Sequence, residues 1–223
     1  MGEPVYDEKG NQIIDVSDLA FIYNNVVSFV NSVCLDISVI GKLNYLKAKN
    51  LVTEEKQPLF HFIERRTYLS LIVTLDTIID DPNVGREDGN KIHNNGINLI
   101  KLLNLTFSAA QQTKDKKEKE NQLNFIRELI KMHDDIQQMD ERKNLGMFRD
   151  RLAAHIDVGF VKDEKYSEFD MGNKQFIAII DRVLIILHNL SKLLNVTDGE
   201  PLHALKPYSF EDETPVDGLF VLD

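Results

Sequence analysis

Apolar residues recur three and four positions apart in the first part of this chain: Leu19, Ile22, Tyr23, Val26, Val27, Val30, Val33, Cys34, Ile37 and Ile40. That period puts them on one face of a helix. Asp15 and Ser17 are good N-caps, so the spacing predicts a helix from there to about Lys49, weakened or bent at Gly41. A second helix is expected from Gln57-Pro58, with Pro in the first turn, to about Ile79, with Leu59, Ile63, Leu69, Ile72, Val73 and Leu75 inward. Pro82 disfavours helix in its predecessor, so Asp80-Asp81-Pro82-Asn83 ends it and a loop follows over 84–95.

The same period continues downstream. A third helix is predicted over about 97–110 (Ile97, Leu99, Ile100, Leu103, Leu105, Phe107). A fourth covers about 118–139, with Leu123, Ile126, Leu129, Ile130, Met132 and Ile136 inward. Asn144 and Gly146 read as a break before a short helix over 145–156. A loop over 159–172 leads to a last long helix, 173–194, burying Phe176, Ile179, Ile180, Val183, Leu184, Leu187 and Leu190. The stretch 196–223 holds Pro201, Pro207 and Pro215 and has no helical period, so an irregular tail is expected. With only 11 Gly and 6 Pro and no Pro/Gly/Ser-rich divider, the pattern predicts an all-α protein of one helical domain over 1–223, its bundle occupying 15–195.

Composition narrows the classes. The formal net charge is −10, which disfavours non-specific coating of nucleic acid, so no DNA partner is expected, although a local basic pocket is compatible with it. The mixed-sign run Lys114–Glu120 reads as a solvated helix start or loop. A single cysteine, Cys34, excludes an intrachain disulfide and a multi-thiolate metal site. The first residues, Met-Gly-Glu-Pro-Val-Tyr-Asp-Glu, are acidic where a leader would be basic. Asn24, Asn25, Asn31 and Asp36 interrupt the apolar run 19–40, so a core helix and a cytoplasmic protein are expected, with no membrane partner. His61 and Glu64 lie three apart but lack the second pair that a di-iron bundle needs. Met132-His133-Asp134-Asp135 are consecutive helical residues that point in different directions. Phosphate-loop and dinucleotide motifs are absent, so no cofactor and no metal are expected.

Chemistry concentrates in Phe148-Arg-Asp-Arg-Leu-Ala-Ala-His-Ile-Asp157. Metal-free cleavage of RNA needs a proton taken from the 2′-hydroxyl, charge offset on the phosphorane, and a proton given to the leaving 5′-oxygen. A histidine near its neutral pKa can move those protons, an arginine offers a cationic donor fork, and a carboxylate can orient either. Arg149, Asp150 and His155 form that set. On an ideal helix Arg149 and His155 lie about 120° apart around the axis and about 9 Å along it. They converge only if the helix frays near His155 or a second subunit completes the groove. Arg151 and His155, four apart, share a face, so Arg151 competes for the substrate-binding role. The other reading of the same residues is a solvated ion-pair run ending in a histidine that complements the helix dipole.

The Arg149-Asp150-Arg151-Leu152-Ala153-Ala154-His155 segment resembles the signature of the HEPN superfamily (higher eukaryote and prokaryote nucleotide-binding), an Arg, a polar residue and a His a few positions on. The Leu-Ala-Ala-His-Ile-Asp ending resembles its AbiU-type abortive-infection branch, as does Leu71–Asn83 followed by Ile97–Leu103, so the likeness covers roughly 57–195. The resemblance implies an antiparallel four- to five-helix up-and-down bundle that dimerises, with two motifs forming one composite cleft. It implies a metal-independent endoribonuclease, a phage-defence or toxin–antitoxin toxin with a cognate antitoxin as partner and RNA as substrate. Arg149 would then hold phosphate, His155 act as general acid/base or phosphate ligand, and Asp150 orient them. The alternative it carries is an inactive helical module that binds a protein partner or nucleotide.

Overall fold

The computed structural model describes residues 5–6, 12–13, 16–80, 98–154 and 173–195. It is all-α, apart from a two-residue antiparallel pairing of Val5–Tyr6 with Gln12–Ile13. Six α-helices occur among the described residues: α1 Val16–Ala48, α2 Gln57–Ile79, α3 Leu99–Gln111, α4 Lys116–Gln138, α5 Asp140–Ala154 and α6 Asn173–Leu194. A 3₁₀ turn, Glu54–Lys56, precedes α2. The expected loops over 84–95 and 159–172 and the tail from 196 lie outside the described residues.

All ten apolar positions expected inward on α1 are buried. The helix runs through Gly41 without interruption. It alone among the described helices is long and apolar enough, by length and composition, to cross a membrane. α1 ends in a Schellman motif: Asn50 takes a positive φ of 53°, Leu51 N–H donates to Leu46 O at 3.0 Å, and Asn50 N–H donates to Lys47 O at 3.1 Å. Asparagine tolerates that left-handed conformation better than most residues, so the chain turns there without glycine.

Four of the six positions expected inward on α2 are turned inward: Ile72 and Leu75 are buried, and Ile63 and Leu69 are half-buried. Leu59 is 45% and Val73 41% exposed, whereas Phe60, Leu71, Ile72, Leu75, Ile78 and Ile79 are buried. Apolar residues lie on nearly every side of this helix, so apolar character alone does not mark its inner face. The predicted break at Asn144–Gly146 is also displaced. The chain leaves α4 at Met139, whose extended ψ of 142° stops the helix. α5 begins at the next residue and passes straight through Gly146.

The described residues group into two compact units, with α1 changing unit after Ser28, α2 after Asp76 and α6 after Asp181. In the first, α3 packs against α4. Asn98 caps α3, its Oδ1 accepting from Lys101 N–H at 2.9 Å while its Nδ2 donates to Asp80 O at 3.2 Å. Asp115 caps α4 by accepting from Glu118 N–H at 2.7 Å, so the charged run 114–120 is a solvated helix start. At the end of α2, the Ile79 carbonyl accepts from the His133 Nε2–H and from Gln137 Nε2, satisfying an acceptor that the helix end leaves without an intrahelical partner.

In the second unit, Val39, Leu43 and Leu46 of α1 form an apolar cluster with Phe60, flanked by Val52 and Ile63. Tyr68 meets Phe176 with ring centroids 6.4 Å apart. Each fully buried aliphatic or aromatic side chain of such a cluster contributes about 1.5–3 kcal/mol.

Candidate functional site

The candidate site is built on α5 and the last turns of α2. On α5, Leu145 and Phe148 are buried and Met147 is exposed, so one face points into the protein. Arg142 and Arg149, seven residues apart, lie about 20° apart around the axis and about 10.5 Å along it. Both stand at the edge of that buried face.

Both reach the same carboxylate. Arg142 Nη1 donates to Asp76 Oδ1 at 2.8 Å, and Arg149 Nη1 donates to Asp76 Oδ2 at 2.6 Å. Asp76 comes from the buried side of α2, and its side chain is 3% exposed. Arg142 is 13% and Arg149 38% exposed. Each guanidinium takes one oxygen, so the carboxylate is shared rather than gripped by a single fork. Such charge-assisted bonds are short and roughly twice as strong as neutral ones. A carboxylate removed from water needs such partners, since burying it alone would be costly.

Gly146 lies one turn after Arg142. A Cβ at this position would come within 3.2 Å of Arg142 Nη1. The glycine therefore leaves room for the Arg142 guanidinium beside the helix backbone, which accounts for a poor helix former in mid-helix.

Of the residues singled out from the sequence, Arg149 is placed with Asp76 and Arg142. Asp150 and Arg151 lie within α5, and their side chains are outside the described set. His155 lies one residue beyond the last described residue of α5. Asp76 and Arg142 were not anticipated. A local signal for Asp76 exists: it stands four residues after Ile72 and three before Ile79, in phase with the core. An acid in that register calls for a cation from elsewhere in the fold.

The other candidates resolve as ordinary contacts. His61 Nδ1 lies 3.4 Å from Glu64 Oε2, with Lys47 Nζ 4.0 Å from Glu64 Oε1. Arg66 lies over the Phe62 ring, 5.5 Å from its centroid. His133 is buried in the α2 cap, while Asp134 and Asp135 are exposed. No group of three or more potential metal ligands occurs among the described residues. Cys34 is buried, and burial, followed by the charge of Asp181, pushes its thiol up to about 12.

The family model for AbiU2, of the HEPN group, matches residues 15–212 of the chain. No curated protein and no solved structure matches it.

Proposed function

Because the chain belongs to the AbiU2 family of HEPN proteins, we propose that it is a metal-independent endoribonuclease whose reaction uses Arg149 and His155. The observation that supports this reading is the placement of Arg149. Its Nη1 donates to Asp76, and its side chain is 38% exposed, as a group meant to meet a phosphate must be. In the reaction the RNA 2′-oxygen attacks the adjacent phosphorus and the bond from phosphorus to the 5′-oxygen breaks. The products are a 2′,3′-cyclic phosphate and a 5′-hydroxyl end. His155 takes the 2′-hydroxyl proton and, as the resulting imidazolium, passes a proton to the leaving 5′-oxygen, while Arg149 offsets charge on the phosphorane. Asp150 orients the two, and Arg151 holds the substrate backbone.

On an ideal helix, residues six apart such as Arg149 and His155 would lie about 120° apart around the axis, which favours a cleft completed by a second copy of the chain. The reading therefore includes a homodimer, a cytoplasmic setting, and a phage-defence or toxin–antitoxin role with a cognate antitoxin. The test is incubation of the full chain with cellular RNA in EDTA. Wild type should yield cyclic-phosphate ends, and Arg149→Ala and His155→Ala should not. Absence of cleavage in wild type, or equal cleavage in both variants, overturns the assignment.

One observation favours a second reading, a non-catalytic module for a protein or nucleotide partner. Arg149 is ion-paired within its own chain, as a purely structural arginine would be. That reading expects no RNA cleavage and unchanged partner binding in Arg149→Lys.

A further inference from the structure

Resting on the ribonuclease reading proposed above, we infer that Asp76 is the positioning residue for Arg149, itself held at its other carboxylate oxygen by Arg142. A guanidinium on a long flexible stem stabilises a transition state well only if it is already in place, because reorganising it during reaction spends the gain. Asp76 supplies the fixed point. It is buried on α2 and bonded at 2.6 Å to Arg149 Nη1.

An isolated Asp–Arg pair would defeat its own purpose, since the carboxylate would cancel the charge wanted against a phosphate. Arg142, 2.8 Å from the other carboxylate oxygen, shares that negative charge. Arg142 is the more buried arginine and Arg149 the more exposed. The anchoring cation is thus inward, and the one assigned to substrate is outward. Gly146 completes the device by leaving the space that Arg142 fills. The ligand class that fits is a phosphodiester bearing one negative charge per phosphate.

The experiment compares the full-length wild type with Asp76→Asn, Arg142→Gln and Arg142→Lys. One readout is the side-chain NMR signal of the Arg149 guanidinium, identified by its loss in Arg149→Lys. The other is the separate kcat and KM for cleavage of a single-stranded RNA. In Asp76→Asn the Arg149 signal should move and sharpen as its rotation is freed, and kcat should fall about 100-fold with KM little changed. Arg142→Gln should lower kcat and Arg142→Lys should restore most of it. An Arg149 signal unchanged in Asp76→Asn overturns the inference, as does wild-type kcat in that variant.

If wild type does not cleave RNA, the ribonuclease reading fails alone, and the NMR readout still decides whether Asp76 positions Arg149. If Asp76→Asn does not fold, the Arg142 pair decides. Movement of the Arg149 signal in Arg142→Gln and its return in Arg142→Lys support the inference. Identical behaviour of the two variants overturns it.

Discussion

Nη1 of Arg149 stands 2.6 Å from Oδ2 of Asp76, across 73 positions of sequence. Arg142 occupies the other oxygen, so removing the carboxylate takes a buried anionic partner from two cations at once. Asp76→Ala should destabilise the protein by about 3 kcal/mol, the low end for a buried pair because Arg149 is partly solvated. Replacing all three residues with apolar ones (Asp76→Leu, Arg142→Met, Arg149→Met) should recover most of that loss. Denaturant midpoints of the single and triple variants check this. A triple variant as unstable as the single would place the cost in packing rather than in lost ion pairing.

Gly146→Ala sets two effects against each other. Alanine in a helix interior gains about 1 kcal/mol over glycine, but the new methyl would press on Arg142 Nη1 at 3.2 Å. The expected stabilisation is therefore less than that full amount. In an Arg142→Ala background, with the guanidinium gone, the whole gain should appear. A double-mutant cycle by thermal denaturation measures the difference, and equal gains in both backgrounds would remove the steric role given to Gly146.

Alkaline stability should carry the signature of Cys34. Its thiol is raised from an ordinary 9.0 to about 12, by burial first and Asp181 second. Between those values the native state holds a proton that the unfolded chain releases. The thiol's contribution is fully present below about pH 9 and is lost as pH rises toward about 12. The stability advantage of wild type over Cys34→Ala should therefore shrink from about pH 8 to about pH 10.5 in urea melts. An advantage constant over that range refutes the assignment.

Asp36 should show the same sign of pH dependence, shifted into the carboxylate range. Burial raises its carboxyl, opposed by a hydrogen bond with Ser70, and Oδ2 is buried with no hydrogen-bond partner. A carboxyl raised on folding contributes most below its unfolded pKa, and that contribution is lost as pH rises through its folded value. Asp36→Asn should accordingly raise the melting temperature at neutral pH, with the gain diminishing in acid. A gain that grows as pH falls contradicts this.

Asn98 separates two bonds cleanly. Asn98→Ala removes the α3 cap and the bond to Asp80 O, and should cost about 1–2 kcal/mol. Asn98→Asp keeps the acceptor for Lys101 N–H but loses the donor to Asp80 O, so its cost should be smaller. Chemical denaturation of the two variants tests the order.

The helices were legible where one face is apolar and the other polar. α1 and α6 show such faces, and most of their inward residues follow from spacing alone. α2 was legible in extent and in most of its inner face, but Leu59 and Val73 lie outside that face, and apolar character alone did not separate them from Leu71 and Ile78. The end of α4 was legible, but the start of α5 was not. Gly146 carries the composition of a breaker, and only the position of the Arg142 guanidinium shows why it sits inside a helix. At the site, Arg149 stood out because it falls in a recognisable motif. Asp76 and Arg142 did not, since a pairing across so many residues leaves no trace in local spacing. What the sequence did contain was an acid in phase with Ile72 and Ile79, a local conflict that the fold resolves with two cations.

The bond from Asn98 to Asp80 has a bearing on how this protein can be altered. It ties the end of α2 to the cap of α3 on either side of 81–97, 3.2 Å across. The two flanking ends are therefore held together by their own contact, and doubling the number of residues between them costs only about 0.6 kcal/mol of closure entropy. Foreign sequence grafted there would burden the helices little, which makes 81–97 the natural port for a reporter peptide that leaves the Asp76–Arg149 contact untouched.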